Sequence, residues 1–198
     1  LYPGRVADGI HGGGPEWGNH LYNQATYIGA SCLLYKLTGD EQYLTNAREG
    51  ADYVKKSMCS SKRGKKILPV ENGYEQGIYA AIFAQYMKLL VYDCGQTDYL
   101  DWMQYNIQFG FDNRDQTRNL QDADMYTAVT AEDVIESYGG SALPALMIMF
   151  PVDDSSDIKS VNDTAAANNN CYSLDGKMIS SASLCGLYIK NGKKYIAK

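Results

Sequence analysis

The sequence predicts an all-α protein built from repeated helical hairpins, a partial α/α barrel, with a short β-hairpin appendage at its C-terminal end. Three observations predict it. Apolar residues recur at helical spacing through the first 150 or so residues. A turn signature repeats at a fixed offset. The last quarter switches to small polar residues and then to two-residue turn signals.

The first helix is read from Leu21. Leu21, Ala25, Ile28, Cys32 and Tyr35 recur in steps of four and three, and a second stripe follows Tyr22, Gly29, Leu33 and Leu37. Two adjacent stripes predict a mostly buried helix. Gly39 is placed to end it and Asp40 to cap the next. That second helix carries Leu44, Ala47, Ala51, Val54 and Met58 on one side. Arg48, Glu49, Asp52, Lys55 and Lys56 lie on the other, as expected of an outer, half-solvated helix.

The pattern then returns. Gly39, Tyr43 and Leu44 match Gly95, Tyr99 and Leu100 at an offset of 56 residues. The second hairpin pairs an apolar helix (Ile78, Ile82, Phe83, Tyr86, Leu89, Leu90) with a more polar one (Leu100, Met103, Ile107). A third inner helix is expected from Glu136 through Leu143 to Phe150, with Pro144 in its first turns or kinking it. The period is longer than that of tetratricopeptide, ankyrin or HEAT-type units and suits a toroid of inner and outer helices. Two and a half hairpins cannot close such a ring, so the helix over 21–37 should leave an apolar flank open. Residues 152–170 read as a linker, and Asp175-Gly176 and Asn191-Gly192 as hairpin turns in a β segment over 171–198. The predicted organisation is thus 1–151 barrel, 152–170 linker and 171–198 appendage.

Composition excludes several classes. Apolar residues make up 45% and charged residues 21%, a globular balance. The net charge of −5 predicts no basic stripe to release counterions, which argues against a nucleic-acid partner. No apolar run reaches the roughly 18 residues of a membrane span. Five cysteines, Cys32, Cys59, Cys94, Cys171 and Cys185, include no CxxC, and Cys32 falls on an apolar stripe as a small hydrophobe would. Two histidines without HExxH predict no metal site, and no cofactor is expected. The chain begins with Leu1 and no signal peptide, as a processed product or a piece of a longer protein would.

Chemistry is expected where the loops enter the inner helices, because in a ring of antiparallel hairpins these loops share one end. The loop over 6–20 carries Asp8, His11, Gly12-Gly13-Gly14, Glu16 and Trp17 and runs into Tyr22-Asn23-Gln24. The loop over 66–76 carries Glu71, Asn72, Tyr74, Glu75 and Gln76, and that over 113–136 carries Asp122, Asp124, Tyr126, Glu132 and Asp133. With 17 tyrosines against 4 phenylalanines, aromatic platforms beside carboxylates and carboxamides suit a carbohydrate. Sugar C–H faces stack on rings while hydroxyls bond to Asp, Asn or Gln. Alternatives stay open. Trp17 would either plug the barrel end or stack on a sugar, and Asn23 would either cap a helix or meet substrate. Glu71 and Glu75, four apart, would share a solvated helix face or serve catalysis. Asp122 and Asp124 would sit in a solvated loop or do the same. The glycine triplet lacks the Lys-Ser/Thr of a phosphate loop.

Tyr22-Asn23-Gln24, Gly29-Ala30, Leu34-Tyr35-Lys36, Thr38-Gly39-Asp40 and Tyr43-Leu44 resemble a stretch of glycoside hydrolase family 76, the bacterial and fungal endo-α-1,6-mannanases with an (α/α)6 barrel. Gln76-Gly77-Ile78-Tyr79, with Tyr86 and Leu89, is similar to the family's later inner helix. The resemblance covers residues 5–150. It implies retaining hydrolysis of α-mannan by two carboxylic acids through an oxocarbenium-like transition state. It implies too that those acids, adjacent aspartates, lie in the earlier half of the barrel. Asp153-Asp154 falls in the linker, so no catalytic residue is carried over and the missing N-terminal part of the barrel becomes an expected partner. Asp8, Trp17, Tyr22, Asn23 and Gln24 are carried over as substrate contacts. At Glu75-Gln76 the chain departs from the family's aromatic-Lys. A non-catalytic glycan-binding protein is the alternative. Tyr172-Ser173-Leu174-Asp175-Gly176-Lys177 and the stretch from Gly186-Leu187-Tyr188 to Lys193-Lys194 resemble C-terminal segments of type IX secretion cargo, which implies an exported protein.

Overall fold

The computed structural model describes residues 3–71, 75–151, 171–172, 178–179, 186–190 and 193–197. The chain divides into two compact units, Leu1–Val152 and Asp153–Lys198.

The first unit opens with a two-stranded antiparallel hairpin, β1 (Gly9–His11) and β2 (Gly14–Glu16). An open polar loop was expected here. The strands form because Gly12 and Gly13 both adopt positive φ, +57° and +117°, where a side chain would be strained. Gly12 and Gly13 are therefore a two-residue hairpin turn, and Gly14 opens β2 opposite His11.

Helix α1 (Leu21–Thr38) follows, and Gly39 ends it in the left-handed conformation, φ +72°, with its N–H donating to Tyr35 O at 2.8 Å. Asp40 caps α2 (Glu41–Tyr53) by accepting from Gln42 N at 2.9 Å. Both turn residues do what their types predict. A π-helical turn, Val54–Met58, then leads into the hairpin of β3 (Ser60–Lys62) and β4 (Lys65–Ile67).

The second hairpin comprises α3 (Gln76–Lys88), a second π-helical turn (Leu89–Asp93) and α4 (Leu100–Asn113). Gly95 repeats the left-handed turn of Gly39, at φ +69°. The two starts differ nonetheless. Asp40 has its counterpart in Gln96, whose side chain turns back to Cys94 O, so α4 is entered through a 3-10 turn, Thr97–Tyr99, without a side-chain cap.

The third inner helix is broken into α5 (Ser137–Gly140) and α6 (Ala142–Met149). Pro144 explains the break. It has no N–H for Gly140 O and its ring crowds that carbonyl, four residues back.

The core lies between these helices. Leu21, Ala25, Ile28 and Cys32 of α1, Ala47 and Ala51 of α2, Phe83, Ala84 and Met87 of α3, Trp102 and Met103 of α4, and Leu143 and Leu146 of α6 are all buried in one cluster. The Phe83 and Trp102 rings meet edge-on, 5.7 Å between centroids. Gly29 permits the close approach of α1 and α3, since a Cβ there would stand 2.0 Å from the Tyr86 ring. The second stripe of α1 departs from its predicted burial. Leu33 is 53% and Leu37 82% exposed, with Leu34 also exposed, so α1 presents the open apolar flank that an unclosed ring requires.

The second unit is a four-stranded antiparallel sheet in the order β6-β5-β7-β8, with β5 Cys171–Tyr172, β6 Met178–Ile179, β7 Gly186–Lys190 and β8 Lys193–Ala197. Two hairpins were expected, and pairing of β5 with β7 joins them into one sheet. The predicted turns Asp175-Gly176 and Asn191-Gly192, the linker 152–170 with Asp153-Asp154, and Cys185 lie outside the described residues. Cys32, Cys59 and Cys94 are buried free thiols, and Cys171 is buried as well. No described helix is long and apolar enough to cross a membrane.

Candidate functional site

The start of α1 is where the first and second inward loops meet. Its first turn has four unpartnered N–H groups, and one is closed from a distant segment: Glu71 accepts from Leu21 N and, through its other oxygen, from His20 Nδ1 at 2.8 Å. A carboxylate there also complements the positive end of the helix dipole. Glu71 lies in an extended loop and Glu75 just before α3, so the two do not share a helix face as their spacing suggested. Glu71 is a structural clamp between the first and second loops.

Asp8 stands opposite the first turn of α1. Its Oδ1 accepts from Tyr22 OH at 2.6 Å and from Asn23 Nδ2 at 2.7 Å. These two bonds, Tyr22's first, hold the Asp8 carboxyl below its ordinary range. In turn the Asp8 bond, with some burial, pushes the Tyr22 hydroxyl up to about 12. Asn23 therefore does not cap the helix. Gln24 is fully buried. In the amide orientation that satisfies both ends, it donates to Gly4 O at 2.7 Å and accepts from Val6 N at 3.1 Å. It fixes the incoming chain and offers no free atom to a ligand. Trp17 is 37% exposed. Arg5 covers one side of its ring, 5.2 Å from the centroid, and also donates to Trp17 O at 2.7 Å.

Beside this cluster lies an open cleft of about 360 Å³ lined by Tyr22, Glu75, Ile78, Tyr79, Ile82 and Tyr138. The Tyr22 and Tyr79 rings stand 4.9 Å apart, tilted by 51°. Tyr79 OH reaches Glu75 Oε2 at 3.3 Å, and burial together with that carboxylate raises the Tyr79 hydroxyl. Gly77 lets α3 pass directly under α5, since a Cβ there would lie 1.5 Å from Tyr138 O. Of the remaining lining residues, Ile82 reads from the sequence as core by its helical spacing, and only the meeting of α3 with α5 sets it in one wall with Tyr79 and Tyr138.

No carboxylate of the third loop lines this cleft. Asp122 accepts from Ala123 N, Asp124 from Tyr126 N and Thr127 Oγ1, and Asp133 from Thr130 N and Oγ1, each closing its own turn. Among the described residues no group of three or more His, Cys, Asp or Glu could hold a metal ion.

Comparison with known proteins agrees with this architecture. Residues 3–149 match the sequence profile of glycosyl hydrolase family 76. Among solved structures, the Lin0763 protein of Listeria innocua aligns at 25% identity and a TM-score of 0.64 over 75% of this chain and 43% of that one. An inactive variant of the GH76A α-1,6-mannanase of Salegentibacter sp. HEL1_6, solved with α-1,6-mannotetraose, aligns at 23% identity and a TM-score of 0.60 over 75% and 45%. The family 76 mannosidase Bt3792 of Bacteroides thetaiotaomicron aligns at 24% and 0.57 over 68% and 36%. The chain thus spans less than half the length of these structures. No curated protein sequence matches. The profile covers most of the chain, and the helical hairpins around Leu21–Thr38 and Gln76–Lys88 are those of an (α/α)6 barrel: the chain belongs to glycosyl hydrolase family 76.

Proposed function

We propose that this chain supplies substrate subsites of an α-mannan hydrolase, acting with retention on α-1,6-linked mannose as its family resemblance implies. The observation that carries the reading is the Tyr22–Tyr79 cleft with the Asp8–Tyr22–Asn23 cluster at its edge. Two tilted tyrosines offer apolar faces to sugar rings, and a low-pKa carboxylate beside a carboxamide offers bidentate hydroxyl recognition. Trp17 adds a half-exposed ring on the same loop. Asp8, Trp17, Tyr22 and Asn23 are the substrate contacts, and Gln24 positions the loop that bears Asp8. The mannotetraose bound to the Salegentibacter enzyme supports a mannan as the ligand.

The same reading assigns residues 1–151 to the barrel, 152–170 to a linker and 171–198 to an appended segment of an exported protein. The exposed Leu33, Leu34 and Leu37 support packing against further barrel helices.

A specific observation favours a second reading, a glycan-binding protein without hydrolysis. Of the carboxylates around the cleft, Glu71 is occupied by the α1 terminus, Asp8 by Tyr22 and Asn23, and Glu75 by Tyr79. No described pair stands ready as nucleophile and acid. The test is incubation of the 198-residue chain with α-1,6-mannotetraose, followed by calorimetry and a reducing-end assay. Binding by the chain alone is expected of both readings. New reducing ends once the chain is joined to the aspartate-bearing earlier barrel half of a family 76 enzyme support the hydrolase. Binding without them in that assembly supports the second reading, and absence of binding overturns both.

A further inference from the structure

Six of the 18 lysines and arginines, Lys55, Lys56, Lys62, Arg63, Lys65 and Lys66, fall within one stretch containing no acid, in a chain of net charge −5. Four of them ride on the β3–β4 hairpin. Tyr53 OH donates to Asn19 Oδ1 at 2.8 Å, so the end of α2 lies beside the start of α1 and the hairpin that follows belongs to the same end of the helical array as the cleft. Its exit is clamped to α4: Asn106 accepts from Leu68 N at 2.9 Å and donates to Lys66 O, which also takes the Trp102 indole N–H at 3.0 Å.

Three features of this hairpin oppose folding and are left uncompensated within it. Arg63 adopts φ +48° ahead of Gly64 at +74°, a two-residue turn that favours Asn or Gly at the first position. Lys62 and Lys65 are directly opposed across the strands, a like-charge pair. Among the described residues none of Lys62, Arg63, Lys65 or Lys66 is in an ion pair. The nearby acid of the third loop, Asp124, is occupied by Tyr126 N and Thr127 Oγ1. The cations are nevertheless held in place. Lys62 and Arg63 lie over the Tyr126 ring at 5.3 and 5.9 Å, and Lys65 lies over the Tyr105 ring at 5.0 Å.

We propose that the β3–β4 hairpin, through Lys62, Arg63 and Lys65, binds a negatively charged substituent on the glycan chain, a phosphate ester or a carboxylate, so that the substrate of this end is an acidic glycan. The inference rests on the mannan reading of the cleft and narrows its substrate class. A ligand anion relieves the opposed charges that the fold leaves unpaired. The overall negative charge repels an extended polyanion such as a nucleic acid, whereas a single acidic group on an otherwise neutral chain meets only the local cations.

The test is a titration of the ¹⁵N-labelled 198-residue chain, followed by amide shifts, with mannose, mannose 6-phosphate, glucuronate, α-1,6-mannotetraose and duplex DNA. The amides of residues 62–66 should respond to an acidic sugar and not to mannose, with binding weakened about fivefold or more by raising salt from about 0.02 to about 0.5 M. Response to mannose 6-phosphate alone assigns a phosphate ester, and response to both acids assigns a site for either. The triple variant K62Q/R63Q/K65Q should abolish the response with the chain still folded, its thermal midpoint no lower than the native one, and K62R/K65R should keep the response. Hairpin amides silent to both acids overturn the inference, as does tighter binding of duplex DNA than of either acidic sugar. Cleft shifts at Tyr22 and Tyr79 with mannotetraose beside a silent hairpin sink this inference alone. A responding hairpin beside a cleft silent to mannotetraose sinks the mannan reading, and with it the acidic-glycan assignment.

Discussion

Glu71 closes the N-terminus of α1 from fifty residues away, accepting the backbone N–H of Leu21 and leaving its second oxygen for His20. One carboxylate thereby fixes both the direction of the first inner helix and the separation of the two loops that frame the cleft. Its removal leaves a helix terminus uncapped. Glu71→Ala is expected to lower stability by about 1–2 kcal/mol, as other caps do. Glu71→Gln, which keeps an acceptor but not the charge, should recover part of it. Urea denaturation of the three proteins checks the order; equal midpoints would contradict the clamp.

The Asp8–Tyr22 bond gives a signature on both sides of neutrality. Tyr22 has its hydroxyl raised in the folded state to about 12, so its contribution is fully present below its unfolded value near 10 and is lost as pH rises through about 12. Asp8 is lowered, so its contribution is present above its unfolded value near 3.8 and is lost as pH falls through the folded one. The stability advantage of the native chain over Tyr22→Phe should be flat between these limits and shrink beyond each. In the variant, the Asp8 carboxyl pKa should move back up by carbon-13 titration.

Trp17 tests the rim. Trp17→Ala should weaken α-mannan binding by about 1 kcal/mol or more, roughly fivefold, on the scale of an aromatic contact. The fold should be kept, because the ring is 37% exposed. Unchanged affinity by calorimetry would return Trp17 to the role of a plug held by Arg5.

Gly77 tests the floor. A Cβ at this position meets Tyr138 O at 1.5 Å, a backbone atom that cannot swing aside. Gly77→Ala should cost about 1–3 kcal/mol by forcing α3 and α5 apart. It should also weaken mannan binding, since Tyr79 and Tyr138 line the same cleft. Ala at Gly64, which has open space but φ +74°, serves as a comparison in which stability falls while the cleft is untouched.

How much of this was legible in the chain follows from the range of each interaction. Helix ends set by neighbours were readable: Gly39 and Asp40 act within a few residues of themselves, and the Gly95 turn repeats the first. The break at Ser141 follows from Pro144 by the same local rule. Clustering of Asp8, Tyr22 and Asn23 was anticipated because they flank one helix start, whereas the burial of Gln24 was not, because it depends on Gly4 and Val6 folding back over it. Glu71 gave no local signal of its clamp, and its spacing from Glu75 suggested a helix face that does not exist. The basic hairpin was in plain view as residues 62–66 but was submerged in a net charge of −5. Only pairing of β3 with β4 brings Lys62 against Lys65.

The most direct test of the central claim is a crystal structure of the 198-residue chain soaked with α-1,6-mannotetraose. The account predicts mannose rings on the faces of Tyr22 and Tyr79, with ring hydroxyls on Asp8 and Asn23. Sugar bound instead against the Phe111, Leu143 and Met147 pocket, or an empty cleft at saturating ligand, would contradict it.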